Sequence, residues 1–465
     1  MPDATRYLAV LRELADRLTE GRLPSARFGP AFWTSLELPP GDLLDLLRRL
    51  VVADPAPQEG DRPRFLDTAA DLLAADPTAL QRHLVRWFDD ERPLPATPHA
   101  TVATAAQALL HTHRQRALDD LTEALVDAAH RHADDLLGVL AEEEPSALCR
   151  AVDRWAHDER PARRVAALTY GLRAAPHVRT DADRELLRYA ALALLARPGD
   201  TTLHAGALTL LVRDPHTRAR HLPQALRRFT AGDPHLPPAA LAAALPTHPD
   251  QVLEAFRTRL LTAPPQDTGQ MLAALTDTAP PPLARRVAAL MRETVRQRPE
   301  ALAQPLAEYA AQRLQDADDR LFPLLAGLLQ DGPDRVRTAL AAVLAEPGTP
   351  ASRPLRRDLR DVLLTHERDP AVLDTLLHAA VPVTGPEELR PLVHRIGLLL
   401  VRTPEGAARF DRALVDLARL APGFAARLTG WLTTDPADWA ALVGPSARRT
   451  IEQLAGVRLP VWAPA

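Results

Sequence analysis

The sequence predicts an all-α chain built as a stacked array of helical hairpins. Three observations lead there. Apolar residues recur at helical spacing along almost the whole chain, and neither β-branched runs nor sustained alternation appear. Proline is abundant, 45 of 465 residues against only 20 Gly, and it falls between the apolar stripes. A segment of seventeen residues also occurs twice, 68 residues apart.

The elements follow in order. Leu8, Leu11, Leu14 and Leu18 make the first stripe. Leu43, Leu44, Leu46, Leu47 and Leu50 make the next, and Val252, Ala255, Phe256, Leu260 and Leu261 show the same pattern later. Six Asp-Pro pairs begin at Asp54, Asp76, Asp214, Asp233, Asp369 and Asp435. Each predicts a helix start, with Asp accepting orphan N–H groups and Pro, which has no N–H, at the first helical position. The whole pattern predicts roughly twenty helices of ~11–16 residues. The loosest connectors run from Asp54 to Pro63 and from Glu346 to Pro354. Composition does not change around either, so residues 1–465 read as one continuous array.

The repeated segment is Pro77–Pro93, read again at Pro145–Pro161 with ten of seventeen positions identical and no gap. A 68-residue offset holds about four helices, hence two hairpins of about 34 residues each. A shorter echo joins Ala162-Arg-Arg-Val-Ala-Ala-Leu168 to Ala284-Arg-Arg-Val-Ala-Ala-Leu290. Pro333-Asp-Arg-Val-Arg-Thr-Ala-Leu-Ala-Ala-Val-Leu344 resembles the second helix of a HEAT-type repeat, and Asp158–Leu168 is similar with Arg-Arg-Val in place of Val-Arg. The resemblance implies an α-solenoid, a right-handed α-α superhelix of about ten to twelve stacked hairpins, and no shared catalytic residues. The physics agrees, because a single hairpin cannot bury both faces and must share its core with neighbours.

Composition excludes several classes of chemistry. The chain has no Lys and no Asn, only two Ile (Ile396 and Ile451), and all 56 basic residues are Arg. That bias follows GC-rich codons and removes phosphate-loop and Schiff-base lysines together. Cys149 is the sole cysteine, so there is no disulfide framework and no Cys-rich zinc site. The charged N-terminal stretch carries no apolar targeting segment, and no apolar run approaches the ~20 residues of a membrane span. A cytoplasmic protein is expected.

Each candidate cluster has a bland reading beside a chemical one. Trp87 and Trp155 occupy equivalent places in the two copies, on one helix face with Leu80, Leu84 and Phe88 or with Leu148 and Val152, and are expected in the core. Arg82 with Arg86 and Arg150 with Arg154 are i, i+4 pairs. They are read first as an ion-pair ladder between repeats and second as a partner surface. Asp89-Asp90-Glu91 resembles a metal-binding run of class I terpene synthases, but that family's second motif needs an Asn, and the other copy reads His157-Asp158-Glu159. His111 and His113 with His130 and His132 have metal-ligand chemistry. However, i and i+2 on a helix point ~200° apart, and an intervening helix separates the pairs. Cys149 aligns with Gln81 at a position without apolar periodicity.

Charge is uneven along the chain. Residues 151–300 hold 21 Arg against 15 acidic residues, within a chain of net charge −4. The expected function is a non-catalytic scaffold or adaptor that binds another protein, with no cofactor and no metal. The alternative is a nucleic-acid-binding repeat protein using the basic middle third. Arg163, Arg164, Arg184 and Arg188 flank apolar stripes there and are the expected partner-binding residues, with heads reaching solvent. Arg353, Arg356, Arg357 and Arg360 form a second cluster, partly offset by Asp358 and Asp361.

Overall fold

The computed structural model describes residues 4–22, 27–55, 63–95, 97 and 99–456. Among them are twenty-seven α-helices, and the sole β contact is an isolated bridge between Pro93 and Thr101. The chain is an all-α array in which sequential helices pack on their neighbours. It divides into two compact units, residues 1–221 and 222–465.

The first unit holds α1 (Leu8–Thr19), α2 (Pro30–Thr34), α3 (Pro40–Leu50), α4 (Phe65–Ala75), α5 (Pro77–Leu84), α6 (Val102–Thr112), α7 (Leu118–Ala128), α8 (Arg131–Glu143), α9 (Pro145–His157), α10 (Pro161–Ala174), α11 (Asp181–Leu195) and α12 (His204–Arg213). The division falls within α13 (Pro215–Thr230). The second unit holds α14 (Pro238–Ala242), α15 (Pro249–Thr262), α16 (Pro265–Thr278), α17 (Pro281–Gln297), α18 (Pro299–Gln315), α19 (Phe322–Asp331), α20 (Asp334–Ala345), α21 (Arg353–His366), α22 (Pro370–Ala380), α23 (Pro386–Leu400), α24 (Pro404–Leu420), α25 (Phe424–Thr434), α26 (Pro436–Ala440) and α27 (Pro445–Ala455).

Within each unit a helix packs on the next helix and on the next but one. In the first, α1, α3, α5, α7, α9 and α11 form one layer, and α6, α8, α10 and α12 form the other. In the second, α14, α16, α18, α20, α22 and α24 form one layer, and α15, α17, α19 and α21 form the other. This is the packing expected of stacked hairpins, where the core lies between the layers and each helix leaves one face outside. In α9 the buried face is Leu148, Val152, Trp155 and Ala156, while Arg150 and Arg154 lie outside.

Proline punctuation is the strongest local signal, since sixteen of the twenty-seven helices begin on Pro. Asp76 accepts from the Ala79 N–H, Asp214 from His216 and Asp369 from Ala371, so these three pairs start helices as expected. Two do not. Asp233 shapes a turn, and the buried Asp54 carboxylate caps α4, accepting from Phe65 N–H at 2.7 Å and Leu66 N–H at 2.9 Å. Pro223, Pro305 and Pro391 lie inside helices, a departure from pure punctuation. The expected connector from Asp54 to Pro63 falls mostly outside the described residues.

The other expected loose connector, Glu346 to Pro354, is pinned. Arg356 is 1 % exposed and donates to the Val343 carbonyl at 2.6 Å, closing the C-terminal end of α20. Gly348 turns with φ +65°, and a Cβ there would lie 2.6 Å from Arg356 Nε. The device recurs. The fourth residue of α10, Arg164, donates to the Asp158 and Glu159 carbonyls at 3.1 and 2.6 Å. Arg218, fourth in α13, reaches Val212 and Arg213, and Arg337, fourth in α20, reaches Gly332. A guanidinium at this place satisfies orphan carbonyls and opposes the negative end of the preceding helix. Arg164 and Arg337 therefore hold the same position despite the reversed Arg-Val order. The Arg285-Arg286 echo does not, because it falls at the fifth and sixth residues of α17.

Candidate partner-binding surface

The outer face of the first unit is a ladder of charge. Asp119, Glu123 and Asp127 run along α7 at i, i+4 spacing, with Arg150 and Arg154 on α9 beside them. Arg150 Nε lies 3.2 Å from Asp119 Oδ1, and Arg154 Nε 3.0 Å from Glu123 Oε1. In the earlier copy, Arg82 and Arg86 of the same repeat position are exposed and make no ion pair with a described residue. Rungs of the same kind link layer neighbours in the second unit: Arg286 with Asp250, Arg257 with Glu293, Arg335 with Glu300.

This ladder corrects the expected exposure of the partner-binding residues. Arg163 is 9 % exposed and bridges Glu123 and Asp127, the latter at 2.6 Å. Burial works against its charge, but the bonds to Asp127 and Glu123 hold its pKa above the usual value. Arg164 is 7 % exposed and pairs with Asp200 at 2.6 Å besides capping α9. Arg188 is half-buried and pairs at 2.7 Å with Asp214, the residue that caps α13. Arg184 is the most open of the four, its side chain 40 % exposed, and pairs with Asp181 one turn away. The geometry brings Arg163 into the inter-helix network and does not gather the four into one surface.

Charge reversal separates the last two. Arg188→Glu sets a carboxylate against Asp214 and should cost about 2 kcal/mol, whereas Arg184→Glu should stay within about 0.5 kcal/mol. Thermal unfolding of the two variants checks this, and equal effects would contradict it.

The other candidates resolve by packing. Trp87 and Trp155 are 1 % and 0 % exposed, in the core as expected. Asp90 accepts both Arg92 Nε at 2.8 Å and the Arg92 N–H, and Asp158 binds Arg160 identically. The acidic run is thus a repeat turn, and Arg160 holds the Asp158 carboxyl well below the usual carboxylate range. His130 and His132 stack with ring centroids 5.3 Å apart, Phe88 packs against His130, and His111 bonds Glu143. Among the described residues no three His, Cys, Asp or Glu converge as a metal site.

Cys149 and its counterpart Gln81 are 0 % and 2 % exposed, so the position belongs to the core despite its lack of apolar periodicity. Burial, with Asp183 adding to it, pushes the Cys149 thiol up to about 12. Native protein should therefore react with a thiol reagent only as fast as it opens, and denatured protein at once. A fast native phase would contradict the burial.

One feature escaped sequence reasoning. Within the second cluster, Arg356 is buried, but Arg353, Arg357 and Arg360 line one side of an open groove between α21 and α23. Their i, i+4, i+7 spacing was the available signal.

No known family matches the sequence, and no curated protein matches it. Among solved structures, the fold is similar to a chain of the complex described as "Kap95p Binding Induces the Switch Loops of RanGDP to adopt the GTP-bound Conformation: Implications for Nuclear Import Complex Assembly Dynamics". The two are 12% identical with a TM-score of 0.31, and the alignment covers 97% of this chain and 77% of that one. A likeness at that level carries no further argument.

Proposed function

We propose that this chain is a non-catalytic, HEAT-type scaffold or adaptor that binds another protein through the outer faces of its repeats, in the cytoplasm. One observation carries the reading. At least ten of the 21 arginines of the basic middle third are answered by the chain's own carboxylates, Arg163, Arg164, Arg188, Arg257, Arg259 and Arg286 among them. A surface of alternating paired charge offers no continuous track for a phosphate backbone, which needs free cations to displace counterions. It suits a protein partner of similarly mixed charge. No described helix is long and apolar enough to cross a membrane.

Arg184 and its exposed surroundings belong to the proposed contact surface, while Arg163 and Arg164 support it from beneath. The proposal extends to a single array over residues 1–465. Solution scattering tests that, since a radius of gyration near the ~23 Å of a compact chain of this length would contradict it.

The functional test has two arms. A protein captured from the native host, once purified, should reconstitute a stoichiometric complex with the chain. RNA and duplex DNA should give no mobility shift at about 150 mM salt. A shift that weakens steeply with salt, without a protein complex, would replace this reading with nucleic-acid binding.

A further inference from the structure

The layer of α15, α17, α19 and α21 is packed helix on helix, but α21 and α23 stand apart. Two ion pairs span the opening, Arg357 with Glu388 at 2.9 Å and Arg395 with Asp361. Beneath them run two adjoining cavities of about 340 and 320 Å³, which share Arg357, Arg360, Glu387 and Glu388.

The groove holds a cation without a hydrogen-bond acceptor among the described residues. The Arg360 side chain is only 14 % exposed, yet its nearest carboxylate oxygen is Glu388 Oε2 at 4.0 Å, beyond hydrogen-bond distance. Arg164 and Arg337 donate to carbonyls or carboxylates, and Arg356 donates through Nη1 although its buried Nε and Nη2 have no partner. The Arg360 N–H groups are not sealed from solvent, so a carboxylate entering the open groove can replace water on them in a charge-assisted bond. On the facing wall the Thr384 hydroxyl, in a residue 8 % exposed, has no partner among the described residues. It precedes the N-terminus of α23, where Gly385 supplies no side-chain cap.

We propose that this groove binds an acidic segment of the partner protein, a side-chain carboxylate seating against Arg360 and Arg353. The proposal rests on the protein-binding reading above and names the chemistry of one contact. Charge sets the choice of ligand. Arg357 and Arg395 are answered by Glu388 and Asp361, which leaves Arg353 and Arg360 against Glu387. One further carboxylate balances the groove, whereas a phosphate dianion would overshoot beside Glu387 and Glu388. The remaining lining, Pro347, Pro386, Pro391 and Leu392, is apolar and suits the flanks of a peptide rather than a free ion.

The probe is a fluorescein-labelled, C-terminally amidated hexapeptide with one glutamate among leucine and glycine residues, titrated by anisotropy against the full chain. The wild type should bind it, more weakly as salt rises from about 50 to 300 mM. Arg353→Gln with Arg360→Gln should weaken binding about 10- to 100-fold, the range for a lost charged hydrogen bond. Arg412→Gln, at an exposed site on α24 away from the groove, should leave it unchanged. Because Arg360 makes no hydrogen bond, the double variant should unfold at the wild-type temperature. Should it not fold, Arg353→Gln alone, at an exposed site, gives the reading. The glutamine counterpart of the peptide should not bind. Absence of binding to the wild type, equal binding by the variant, or displacement by inorganic phosphate would each overturn the proposal. A reconstituted partner that binds wild type and variant equally overturns the groove and leaves the scaffold standing. A chain that shifts RNA and captures no protein overturns the scaffold whatever the peptide does.

Discussion

Replacing Trp155 with Ala should destabilise the first unit by about 3–5 kcal/mol, the range for truncating a large core aromatic. The indole is 0 % exposed, and its Nε1 donates to Glu123 Oε1 at 3.0 Å. It meets Tyr170 edge to face at 6.2 Å. Its helix, α9, packs on α7, α10 and α11, so the void would open where three neighbours meet and none could close it alone. The same substitution takes a donor from Glu123, the carboxylate that Arg154 and Arg163 also share. Trp155→Phe keeps most of the volume and loses only that bond, so it should cost about 1 kcal/mol. Repeats couple mainly to their neighbours, so urea unfolding of Trp155→Ala should show an early step before the remainder melts. An unchanged midpoint for Trp155→Ala would place the indole outside the core and return it to the candidate ligand-binding residues.

The fold was legible because its causes are local. The helical period of the apolar residues and the helix-starting proline act within one turn, and both survive in a single sequence. Helix number was underestimated in part because α2, α14 and α26 have five residues each, too few for a period to show. The candidate site was less legible because its causes are not local. Arg163 and Asp127 are 36 residues apart, as are Arg164 and Asp200, and the partners meet only after the helices stack. Flanking an apolar stripe therefore placed Arg163, Arg164 and Arg184 in one class, although stacking buries two of them. Asp54 misled for the same reason: its carboxylate serves a helix that starts eleven residues on, at Phe65. One signal was readable and passed over. Arginine at the fourth helix residue caps the preceding helix at Arg164, Arg218, Arg337 and Arg356, though not at Arg184, which donates to Asp181 instead.

Glu367→Ala should cost the second unit about 3 kcal/mol, because removing one partner of a buried pair strands the other. The Glu367 side chain is 1 % exposed and that of Arg337 17 %, with Nε to Oε2 at 2.8 Å. Glu367 also accepts the Arg368 and Asp369 N–H groups, each at 2.8 Å, and so shapes the turn into α22. Arg337 keeps the Gly332 carbonyl and the exposed Asp334 as acceptors, which holds the loss to the lower end of the range. Glu367→Gln preserves an acceptor for the turn but turns an amide toward Arg337, and should fall between wild type and Glu367→Ala. Adding Arg337→Met to Glu367→Ala should recover part of the loss, because it removes the stranded charge and fills its volume. The recovery is the discriminating measurement. If Glu367 acts only through the turn, the second substitution adds its own cost and the double variant is less stable than Glu367→Ala. If the pair is the unit, urea midpoints rise from Glu367→Ala to the double variant while the wild type stays highest.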